Sequence, residues 1–105
     1  MNTIITDWQV VTIIEDEKLI GKILWGTCVE DMSCRFITGD YICTSKIMEI
    51  NTNTNLIKTA HGNIYQVLGR GRLATIDYRD FELLRGGFSP QQIKALNHYS
   101  PVYSN

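Results

Sequence analysis

Residues 35–72 decide the fold; they read RFITGDYICTSKIMEI, then NTNTN, then LIKTAHGNIYQVLGRGR. β-branched and aromatic residues fill the longer runs. Turn formers end each of them: Gly39-Asp40, the asparagine-threonine stretch 51–55, His61-Gly62-Asn63 and Gly69-Arg70-Gly71. Short runs separated by tight turns are what a small, twisted antiparallel sheet requires. Within the stretch, residues 41–50 predict the longest strand, but Ile47, Met48 and Ile50 do not keep one period. The broken alternation predicts a bulge or sharp bend near Thr44-Ser45, where a strand crosses between two sides of a barrel. Residues 56–59 and 64–68 predict a hairpin with Tyr65 and Val67 on one face, and 72–76 predict a last short strand.

Working outward to the N-terminus, residues 8–15 (WQVVTIIE) predict a strand. Trp8, Val10, Thr12 and Ile14 share one of its faces, and Val11 and Ile13 the other. Residues 18–29 predict one or two strand segments, with Gly21 and Gly26 marking bulges or close backbone approach. A helix over 15–24 is the competing reading, because Leu19, Ile20, Ile23 and Leu24 recur at helical spacing; Gly21 and the β-branched content weigh against it. Residues 1–7 predict a loose lead-in. Beyond residue 76 the chemistry turns helical. Asp77 can cap a first short helix that Gly86-Gly87 stops, and Ser89-Pro90 opens a second.

The expected fold is therefore α+β and mainly β: a small bent antiparallel sheet or partly open barrel of five to seven strands, then one or two short C-terminal helices. One domain over 1–105 is expected, with sheet over 8–76, helices over 77–98 and a tail over 99–105. No apolar run approaches bilayer length, and MNTIITDWQ lacks a basic and then apolar leader, so a cytoplasmic protein without membrane contact is expected. Three cysteines, Cys28, Cys34 and Cys43, are odd in number and match no zinc or redox spacing, which predicts free thiols. A Cys28–Cys34 disulfide would need an oxidising compartment. Residues 1–50 carry eight acidic side chains against four basic, and 51–105 three against six, an asymmetry that could steer a charged partner or self-association.

Gly69-Arg70-Gly71-Arg72 is the pattern closest to ligand chemistry. Backbone N–H groups at a glycine turn and two guanidinium forks can hold a phosphate, and the same residues also make a plain turn with solvated arginines. The lysine and hydroxyl residue of a P-loop are missing. Together with Tyr65, Tyr78 and Arg79, the two arginines would give a basic, aromatic surface for nucleic acid or nucleotide. A sequence pI near 6.0 argues against strong phosphate-driven affinity. Tyr99 and Tyr103, with Ile93 and Leu96, would form an apolar partner or homodimer contact. His61 and His98 are too isolated for a metal site, and no catalytic constellation is visible. The binding residues expected are thus Arg70, Arg72, Tyr65, Arg79 and Tyr99, with no catalytic residue, metal or cofactor.

Trp25-Gly26, Asp31, Arg35-Phe36, Gly39-Asp40 and Thr44-Ser45 form a pattern that continues in three later segments. These are Gly62-Asn63-Ile64-Tyr65, the Leu-Gly-x-Gly turn at 68–71 and the Leu-Arg-x-Gly-x-Ser-Pro segment at 84–90. The whole resembles a pattern in small uncharacterised proteins of bacteria and their prophages, over about residues 25–90. The resemblance implies a small accessory protein of a mobile element and brings no activity or functional residue with it. The functional expectation is a non-enzymatic protein-binding module, an inhibitor of a host defence complex in the manner of anti-CRISPR proteins. An immunity protein that caps a toxin, and a small barrel that binds nucleic acid or nucleotide through Arg70 and Arg72, are the alternatives.

Overall fold

A computed structural model describes residues 2–99 and the side chains of 3–98. Six strands follow one another as β1 (Asn2–Glu15), β2 (Lys18–Asp31), β3 (Tyr41–Asn51), β4 (Leu56–Thr59), β5 (Ile64–Val67) and β6 (Arg72–Asp77). A 3-10 turn (Tyr78–Asp80), α1 (Phe81–Arg85) and α2 (Pro90–Tyr99) come after them. The molecule is thus mainly β with two short C-terminal helices. Its single sheet is mixed rather than antiparallel, because β1 lies parallel to both β5 and β6.

Residues 2–7 are not a loose lead-in. Asn2 to Ile5 pair with β5 on one side, and β2 on the other takes up the same segment from Thr3. Period-2 reading missed this because Thr3 and Ile5, both buried, are followed by Asp7, whose positive φ of 50° breaks the alternation. Residues 15–24 are hairpin, not helix: Glu15 and 18–24 are strand, and Asp16 and Glu17, at φ 51° and 64°, form the two-residue tip between β1 and β2. Positive φ at both tip positions matches the twist that a tight hairpin needs.

Pairing of β1–β2–β3–β4–β5–β1 closes a five-membered ring. Inside it lie Ile5, Leu24, Cys28, Ile42, Ile57, Tyr65 and Val67. The ring closes only along the first part of β1. At Asp7-Trp8 the β1–β2 register slips by one residue, and beyond the slip β1 exchanges β5 for β6. Gly26 of β2 faces this bend, and a Cβ there would lie 2.4 Å from Ile5 Cγ2, so the close approach demands glycine. β1 and β2 then continue past the barrel as a wing. A 14-residue strand spans roughly 43 Å, which accounts for the long axis of the 49 × 27 × 23 Å molecule.

One face of the wing is covered by the helices. Val11, Ile13, Ile23, Ile76, Leu84 and Ile93 make a second core there, with Trp25, Ala74 and Phe81 packed against it. The bulge expected in β3 is present: Ile23 pairs with Lys46 and Trp25 with Cys43, leaving Thr44 and Ser45 as the extra length. Thr44 Oγ1 fills the gap by accepting the Leu24 amide at 3.0 Å. A further slip between Ile47 and Glu49 explains the remaining loss of period. At the C-terminal end, Asp77 caps the 3-10 turn through the Arg79 amide. Gly87, at φ 109°, ends α1, with the Phe88 amide bonded to the Leu83 carbonyl. Ser89 and Gln92 exchange side chain-to-backbone hydrogen bonds at 3.1 and 2.8 Å, a capping box at the start of α2. No helix among the described residues is long and apolar enough to cross a membrane.

Candidate functional site

β6 pairs with β1 alone, so among the described residues its outer edge has no strand partner. A free edge presents a row of backbone donors and acceptors that another extended chain can complete. Along this edge runs a groove of about 530 Å³, floored by β6 and walled by Pro90, Gln91, Ile93, Lys94 and Asn97 of α2. Leu73 stands on the edge 86% exposed, the most exposed large apolar side chain among the described residues. Leaving it in water forgoes about 1.5–3 kcal/mol of burial.

Two polar clamps position the wall of the groove. Gln9, 2% exposed, and Gln91 exchange amide hydrogen bonds of 3.0 and 2.7 Å, which pins the first turn of α2 to β1. Asn97 donates to the Asp80 carboxylate at 2.8 Å and pins the last turn to the 3-10 turn that follows β6. The helix therefore runs alongside β6 in the same direction, between two fixed points. Ala74 and Ile76 point into the core under the helices. Strand alternation puts Arg72 on that same helix-facing side, and Leu73, Thr75 and Asp77 on the opposite one.

The glycine-arginine turn leads directly into this edge. The Trp8 indole Nε1 donates to the carbonyls of Leu68 and Gly69 at 3.1 and 3.2 Å. Its ring lies so close over Gly71 that a Cβ there would come within 2.4 Å of ring atoms. Gly69 supplies the positive φ of 73°. The glycines thus serve the seating of Trp8 in the fork between β5 and β6, and Arg70 and Arg72 project from a turn fixed by that ring.

Of the five expected binding residues, Arg70 and Arg72 are exposed, one on the turn and the other opening β6. Tyr65 is 3% exposed and belongs to the barrel core, so it offers no ring face for stacking. Burial follows from strand parity: Tyr65 and Val67 share the inner face of β5, and polar Gln66 lies between them. Arg79 is exposed beside Asp80, 4.0 Å away, at the far end of β6. The five residue steps from Arg72 to Asp77 span roughly 16 Å, which separates it from the other arginines. The side chain of Tyr99, all of Tyr103 and the tail 100–105 lie outside the described residues. Ile93, expected on an exposed patch, is 1% exposed and packs in the second core. The sequence reading missed the groove itself, since the free edge depends on which strand pairs with which; Leu73, an apolar residue between arginine and alanine, was the one local signal.

A second cavity of about 490 Å³ is lined by Phe36, Asp40, Tyr41, Cys43 and Arg85. Burial pushes the Cys43 thiol up to about 11, with the Arg85 charge opposing. A thiol held protonated at neutral pH is a poor nucleophile. Cys28, Cys34 and Cys43 are all free, and burial also raises the Cys28 thiol. Among the described residues no group of three or more His, Cys, Asp or Glu side chains is placed to hold a metal ion. Compared with protein-family models, with curated proteins and with solved structures, the chain matches none.

Proposed function

We propose that this protein is a non-enzymatic protein-binding module that takes an extended segment of its partner onto the outer edge of β6. The observation that carries the reading is the unpaired β6 edge beside a groove already walled by α2. Strand addition draws affinity from main-chain hydrogen bonds and specificity from alternate side chains, and edge and groove supply one of each. The two finer readings, a mobile-element inhibitor of a host defence complex and an immunity protein capping a toxin, make the same demand on this surface. They are separated by the identity of the protein captured.

Leu73→Glu tests the reading. Leu73 is almost fully solvated, so the substitution changes folding stability by less than about 0.5 kcal/mol. Affinity capture from the native host is expected to retain a partner on the wild-type protein and to lose it on the variant. Retention of the same partner at the same level by both proteins would sink the β6 assignment.

A further inference from the structure

We infer that the segment accepted by β6 is an amphipathic acidic strand, apolar on one face and carboxylate-bearing on the other; this rests on the strand-addition reading above. The argument starts from the two faces of the edge. On the helix side, Arg72 opens the strand and Lys94 stands on the wall of the groove, with neutral Gln91 and Asn97 at its two ends. On the opposite side, Leu73 is solvated and Thr75 is exposed. A strand laid against β6 places successive side chains alternately on these two faces. Those beside Leu73 gain by being apolar, whereas those under α2 meet Lys94 in the groove and Arg72 just before its near end. Asp77, the carboxylate in the groove lining, lies at its far end, on the Leu73 side by strand alternation, and is occupied by the Arg79 amide. The asymmetry therefore selects charge on one face only. Arg70, on the turn leading into β6, adds a third cation at the near end.

The test uses synthetic peptides of about eight residues, long enough to cover β6. One alternates valine with glutamate and the other valine with lysine. Each has two controls, N-methylated at every valine or at every charged residue. Fluorescence anisotropy at low salt is expected to show the glutamate peptide binding about tenfold tighter than the lysine peptide, the ratio that two exposed ion pairs supply. The preference shrinks at high salt and reverses in Arg72→Glu/Lys94→Glu, while one of the two N-methylated controls fails to bind. Equal affinity of the two peptides, or a preference unmoved by the double charge reversal, overturns the acidic-strand inference. If one methylated control still fails, the strand-addition reading stands without it. Binding unaffected by either methylation pattern, or no binding by any peptide, overturns both.

Discussion

The barrel and the wing are built on the same two strands, yet they treat their edges in opposite ways. In the barrel, β1 and β2 enter a ring in which each strand is bonded on both sides. In the wing, the same strands run on past the ring, and among the described residues the outer edges of β6 and of β2 over residues 18–22 have no strand partner. The switch occurs within three residues, at Asp7 and Trp8 before Gln9, where a bulge turns β1 and a tryptophan fills the fork. Closure is the complete remedy for exposed sheet edges. The β6 edge, immediately beside the closed ring, is walled by α2, while its outer backbone edge has no strand partner among the described residues. The difference teaches that one pair of strands can close its backbone bonds around a ring at one end and leave an outer edge open beside a helix at the other.

The largest effect expected is on the shared framework. Leu24 is fully buried inside the ring, on β2, while its neighbours Ile23 and Trp25 face the helices. Leu24→Ala should cost about 3 kcal/mol, as large-to-small changes in a close-packed core do. Denaturant unfolding should show the loss, and hydrogen exchange should show it in barrel and wing together, since β2 runs through both. A loss confined to barrel amides would break the comparison by making the wing an independent unit.

Next is a change that touches the wing alone. Gln91→Ala removes the partner of a buried amide and leaves Gln9 unsatisfied beside the first turn of α2. An unpaired buried amide costs about 2 kcal/mol. Hydrogen exchange should accelerate in α2 and leave β3, β4 and β5 unchanged. Equal acceleration in those three strands would mean that wing and barrel open as one body.

How much of this was legible in the sequence follows the same division. The later strands, the Thr44-Ser45 bulge, the Asp77 cap and the Gly87 stop are local events, each written in a few adjacent residues. The bend at Asp7 is less so: an aspartate at positive φ ended the alternation, and β1 was read as starting late. Partner choice is non-local, which is why β5 and β6 lying parallel to β1 escaped a reading that counted hairpins. Gly69-Arg70-Gly71-Arg72 is the sharpest case. Its glycines looked like a phosphate turn, and their constraint is the indole of Trp8, some sixty positions earlier in the chain. The open edge that this turn leads into, and the solvated Leu73 on it, are not legible from the local sequence.

The smallest effect lies at the rim of the barrel and is pH-dependent. Asp31, at the end of β2, accepts from Thr3 Oγ1 at 2.8 Å, from Ser33 Oγ at 2.6 Å and from the Ser33, Arg35 and Phe36 amides at 2.7–3.0 Å. Burial opposes its charge, but the donors, led by the Ser33 and Thr3 hydroxyls, outweigh it and hold the carboxyl well below the usual aspartate range. A carboxyl depressed in the folded state binds its proton more readily once unfolded. Its contribution is therefore present above the ordinary aspartate pKa, near 3.9, and fades as pH falls below it. Asp31→Asn keeps the shape and loses the charge, and at pH 7 it should cost about 1.5 kcal/mol, the low end for hydrogen bonds to a charged group. The gap between wild type and variant should close as pH drops from 4 toward 2, measured by denaturant midpoints at each pH. Residues 32–40 connect β2 to β3, and Asp31 ties their start to Thr3 of β1 within the ring, so the acid sensitivity belongs to the barrel; exchange in α2 should be the same in variant and wild type, and faster exchange there would place Asp31 in the service of both regions.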